Sequence, residues 1–259
     1  MAVSLQARTL PALAGWSWIS GGFALFRRNP PLLAALSVSY LVVLTVMSAI
    51  PVIGPVFEAL TLPAFMVILF NAVRMIEMNA DLSRDVLMHG LEKNYRALVQ
   101  LGVLQLVSQQ IVGVLAAVLV GTPDGLAGKP VDLAAVAPAL LMVSPLALLL
   151  GVLLWFPPLL ISKCDLPLSK ALFFGLVGVV RNIKVFGVFF LAVLMLMTAA
   201  LMFITTIGAF LGVTEGGLSM LLFVAAPFVF LPLNAACVYV SFRQVFAPDE
   251  APAPEPADE

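Results

Sequence analysis

Six stretches of this chain, 31–50, 56–76, 97–120, 133–156, 184–207 and 218–240, run for about twenty residues each with no lysine, arginine, aspartate or glutamate near their middles. An α-helix rises about 1.5 Å per residue, so about 20 apolar residues are what a hydrocarbon core of about 30 Å demands. Inside lipid every backbone N–H and C=O must be satisfied internally, which a helix does and an open strand does not. The runs therefore predict an all-α fold, a polytopic membrane bundle of about six transmembrane helices. Composition points the same way. The chain is 62% hydrophobic and 10% charged, with a mean hydropathy of +1.12, against roughly 45–50% apolar and about 25% charged residues in a soluble domain.

Between the runs the punctuation is specific. Pro51-Val52-Ile53-Gly54-Pro55 enforces a tight turn between the first two spans, and Pro63 predicts a kink within the second, since it removes a backbone donor. The segment 82–95 places Leu82, Val86, Leu87, Leu91 and Tyr95 at helical spacing opposite Arg84, Asp85, His89, Glu92 and Lys93, the pattern of an amphipathic helix at the membrane surface. Residues 14–28 and 168–181 are apolar but too short to span, so they too are expected at the interface or re-entrant. Segments 121–132 and 208–217, rich in glycine, read as outer loops. Trp155 with Pro157-Pro158 is expected to end the fourth span, and Pro227 and Pro232 to break the sixth. Residues 1–246 form one transmembrane domain, and the Pro/Ala/acidic tail 247–259 is expected to be disordered.

Lysines and arginines set the orientation. All but Lys129 fall on one side of a six-span layout, which puts both termini in the cytoplasm. On that side an order recurs: a short segment, a basic residue followed by asparagine (Arg28-Asn29, Lys93-Asn94, Arg181-Asn182), then a long apolar run. Asparagine can cap a helix start and a neighbouring cation can reach a lipid phosphate. The recurrence predicts three helical hairpins, each preceded by an interfacial helix. Any helix that begins at a cytoplasmic surface tends to show the same pair, so the repeat competes with that simpler reading.

Chemistry-bearing residues are sparse. Cys164 and Cys237 show no CxxC or Cys/His spacing, and His89, the sole histidine, stands on the polar side of its segment, so neither a metal nor a cofactor is expected. No nucleophile elbow, Walker loop or dinucleotide fingerprint occurs, and there is no basic stripe for nucleic acid. Catalysis is therefore not expected. Two surfaces stand out. Arg27, Arg28, Lys93, Arg181 and Lys184, with Trp16, Trp18, Phe23, Phe26, Phe173 and Phe174 nearby, suit anionic headgroups or simple anchoring of helix ends. In the third span Gln105, Ser108 and Gln109 share a face that either knits helices together or lines a path for a solute.

Three phrases, GWSWISGGFALFRRNPPLL, IPVIGPVFEALTLPAF and WFPPLLISKCDLPLSKALFFGLVGVVRNIKVFGVFF, resemble an uncharacterised family of bacterial six-helix inner-membrane proteins common in betaproteobacteria. More loosely, the chain is similar to the membrane domain attached to some glycerophosphodiester phosphodiesterases; it carries no soluble phosphodiesterase domain, so that activity does not transfer. The resemblance implies topology and an inner-membrane location. The expectation is a membrane component that engages lipids, a protein partner or a second copy of itself. The alternative is a small carrier or channel for a lipid-like or weakly polar solute.

Overall fold

A computed structural model describes residues 6–50, 52–81, 83–120, 133–212 and 215–246; the side chains of 133–136 and 215–227 are outside that description. The expected loop at 121–132 and the tail 247–259 likewise lie outside the described residues. The helices are α1 Ala14–Phe26, α2 Pro30–Ser48, α3 Ile53–Met78, α4 Arg84–Leu87, α5 Leu91–Val120, α6 Leu133–Leu153, α7 Pro157–Cys164, α8 Leu168–Arg181, α9 Ile183–Phe210 and α10 Glu215–Phe246. No strand occurs among the described residues. Among the described residues six helical stretches are long and apolar enough to cross a membrane, so the protein is an all-α membrane bundle.

Local chemistry explains most boundaries. Pro30 and Pro31 open α2, where a missing N–H costs nothing, and the Asn29 side chain accepts from the Leu32 N–H at 3.2 Å. Asn79 after α3 (φ 50°) and Asp165 after α7 (φ 52°) are left-handed caps, a role to which short polar side chains adapt. α3 runs through Pro63 as one helix.

Three boundaries depart from the sequence reading. The segment 82–95 is not one amphipathic helix: α4 is a single turn, and α5 begins at Leu91 and continues unbroken into the span. Gly90 (φ 82°) makes the elbow between them, and a Cβ there would stand 2.5 Å from the Ser162 carbonyl oxygen. Pro157-Pro158 not only follows the fourth span but starts a further helix, α7, buried beneath α8. The expected outer loop at 208–217 is shorter, because α9 reaches Phe210 and α10 starts at Glu215.

The packed interior sits at the end of the bundle where the cations lie. Trp18 of α1 is fully buried, edge-on to Phe186 of α9 at 5.1 Å, while Phe156 meets Phe246 at 5.2 Å. A second cluster joins Phe65, Leu69 and Phe70 of α3 to Leu159 and Tyr239. α1 therefore docks one face into α9 and α10, through Gly15 and Gly22, and turns Trp16 and Phe23 outward. Towards the opposite end, α9 beyond Phe190 and α5 beyond Ser108 leave most side chains exposed, the surface a lipid would cover. Each short helix lies on the returning helix of the hairpin before it, in cyclic order: α4 on α3, α8 on α7, and α1 on α10.

Candidate functional site

The basic–asparagine pairs sit at one end of the bundle, and each ties the start of an incoming helix to the end of its own hairpin. Arg28 Nη1 donates to the Glu77 carbonyl near the end of α3 at 3.3 Å. Lys93 and Asn94 donate to the two oxygens of Asp165, the cap of α7, at 2.6 and 2.9 Å. Arg181 donates to the Ala7 carbonyl at 2.7 Å, while Asn182 accepts from the Leu10 N–H and donates to the Arg8 carbonyl, each at 2.9 Å. The Arg8 N–H in turn bonds to the Val245 carbonyl at the end of α10. The three asparagines thus share a place but not a task. Asn29 caps α2; Asn94 lies inside α5 and binds a carboxylate; Asn182 is buried and holds the N-terminal segment against α8.

Beneath the elbow, buried Asn71 of α3 donates to the Leu87 and His89 carbonyls at 2.8 and 2.9 Å and accepts from Lys163. It satisfies helix-end carbonyls of α4 that would otherwise lack partners. Above it opens a cleft of about 610 Å³ lined by Arg84, Asp85, His89, Lys93, Lys163 and Asp165 among others. Hydrogen bonds from Asn94 and then Lys93 hold the Asp165 carboxyl below the usual aspartate range. Cations and carboxylates both line this cleft, so its field is mixed.

On the other side of the same end, Arg243 pairs with the Glu77 carboxylate, which also accepts from the Tyr239 hydroxyl at 2.8 Å. Arg28 and Arg243 line one cleft of about 330 Å³ together with Gly21, Ala24, Glu77 and Val240. Arg27 is exposed, its guanidinium 5.6 Å from the centre of the Phe23 ring, and Lys184 is exposed at the start of α9. Neither has an ion-pair partner among the described residues.

Gln105, Ser108 and Gln109 lie together against α6, lining an open cleft of about 240 Å³ with Ala147, Leu150 and Gly151. Ser108 bonds back to its own helix at the Leu104 carbonyl, as Thr205 and Thr206 do at Leu201 and Met202. The Gln105 and Gln109 amides make no hydrogen bond across to another helix among the described residues. Cys164 and Cys237 are free thiols.

Sequence reading missed Glu77, Asp165 and Arg243. One signal was available for two of the ends: Leu82-Ser83-Arg84 and Leu168-Ser169-Lys170 each begin three residues after a left-handed cap, Asn79 or Asp165. That register marks where one hairpin ends and the next short helix begins.

Over 97% of its length this chain is 28% identical to a protein of Burkholderia thailandensis named "probable inner membrane protein", and it covers 97% of that protein. No family model matches the chain, and no solved structure matches it. The relative and the six spans together support a multi-pass inner-membrane protein.

Proposed function

We propose that the protein is a non-enzymatic inner-membrane component that faces the cytoplasm with both termini and with its cation-bearing end, and engages anionic lipid there. One observation carries the reading: the cations divide into two sets. Arg28, Lys93 and Arg181 bond to protein groups, whereas their neighbours on the same face, Arg27 and Lys184, are exposed and unpaired among the described residues. Outward-facing Trp16 and Phe23 beside Arg27 match an interfacial position. A cation near an anionic membrane surface contributes about 1 kcal/mol. Native mass spectrometry of the protein released from nanodiscs of mixed phosphatidylglycerol and phosphatidylcholine is expected to show retained anionic lipid, in smaller number after Arg27→Ala with Lys184→Ala. No preference for the anionic lipid in the wild-type protein would sink the reading, and a retained protein in place of lipid would point to a partner or a second copy.

A second reading has its own observation, the unpaired Gln105 and Gln109 amides facing the α5–α6 cleft. There the protein is a carrier for a weakly polar solute. Gln105→Leu with Gln109→Leu should abolish flux at unchanged thermal stability; a loss of stability without a flux phenotype would assign the pair to helix packing.

A further inference from the structure

We infer that the cleft between α1, α3 and α10 holds the phosphodiester of one anionic glycerophospholipid between Arg28 and Arg243, with its glycerol end on the floor formed by Gly21, Ala24 and Val240. The inference rests on the lipid-engaging reading and gives it an address. Both guanidinium groups are oriented by the same residue: Arg28 by the Glu77 carbonyl and Arg243 by its carboxylate. A guanidinium offers five N–H donors in a rigid fork. Each of these bonds uses one guanidinium nitrogen, so donors remain for a phosphate in the cleft. Two arginines face one carboxylate, and that carboxylate is shared with the Tyr239 hydroxyl. The cleft is therefore net positive, unlike the larger one at the α4–α5 elbow, where Asp85, Glu92 and Asp165 offset the cations.

The floor separates a lipid from a free anion. Gly21 packs so closely on α10 that a Cβ would lie 3.3 Å from Val240 Cγ1, and exposed Ala24 keeps the mouth of the groove low. Inorganic phosphate gains nothing from that apolar strip, whereas a glycerol backbone and the first methylenes of an acyl chain do. The cleft also stands at the ends of α3 and α10 and beside outward-facing Phe23, the level at which headgroups lie.

The test uses the full chain in the same mixed nanodiscs, comparing wild type with Arg28→Lys/Arg243→Lys, which keeps charge but loses the fork, and with Ala24→Phe, which blocks the floor without touching an arginine. One phosphatidylglycerol is expected to stay bound in the wild type and to be lost about tenfold more readily in both cleft variants, because bidentate phosphate contacts and groove shape are removed. If the wild type retains anionic lipid and Ala24→Phe holds it equally well, the cleft assignment is overturned while the broader reading stands. If no wild-type preference exists, both fall. Displacement of the bound lipid by millimolar inorganic phosphate, with no effect of Ala24→Phe, would make this a free-phosphate site instead.

Discussion

Asn182 shows how much one side chain can carry in a membrane protein. It is buried, and it joins the N-terminal segment to the end of α8 through one accepted and two donated hydrogen bonds. Removing it leaves the Leu10 N–H and two carbonyls without that partner, and buried unsatisfied groups are expensive. Asn182→Ala should lower stability by about 2–3 kcal/mol, read as a fall in melting temperature in detergent and as protease sensitivity of the N-terminal segment. Asn94→Ala, whose partner Asp165 is about half exposed (48%), should cost less than about 1 kcal/mol. Equal losses at the two positions would contradict the unequal burial. The same triplet position thus has different energetic consequences, which the Arg/Lys–Asn pattern alone could not rank.

At the scale of elements, Lys93 and Asn94 latch the start of α5 to the Asp165 carboxylate at the end of α7. Because Asn94 and Lys93 depress the folded-state value of Asp165, the latch contributes fully above the unfolded aspartate value of about 3.9 and is lost as pH falls through the lower folded value. The melting-temperature difference between wild type and Asp165→Asn should therefore be constant near neutrality and close on acidification below about pH 4. A difference that persisted at lower pH would place the effect in the left-handed cap rather than in the charge. The elbow is also where sequence periodicity misled. Val86, Leu87, Leu91 and Tyr95 do fall at helical spacing, but Gly90 bends the backbone where it meets Ser162, a contact that periodicity cannot register.

For the whole molecule, orientation is the leading consequence of the charge distribution. An arginine at the centre of a span costs about 2.5–3.5 kcal/mol on the insertion scale, which pins these residues to helix ends. A C-terminal fluorescent-protein fusion should fluoresce, an alkaline phosphatase fusion at the same place should be inactive, and Lys129→Cys in a cysteine-free background should react with an impermeant maleimide added outside. The opposite pattern would invert the topology and move the cation-bearing face out of the cytoplasm.

By itself the sequence determined the spans and the segregation of charge, because the bilayer imposes both one helix at a time: hydrocarbon thickness sets run length, and the desolvation penalty sets where a cation stops. It also marked the basic–asparagine recurrence and the shared face of Gln105, Ser108 and Gln109. What those residues meet was decided by the tertiary structure. Arg28 finds Glu77 across 49 residues of chain, Lys93 finds Asp165 across 72, and Arg181 reaches Ala7 across 174. No local propensity encodes such pairings. They exist because the hairpins return to one face and the short helices dock there in cyclic order, bringing helix ends with unfilled carbonyls beside the side chains that can satisfy them.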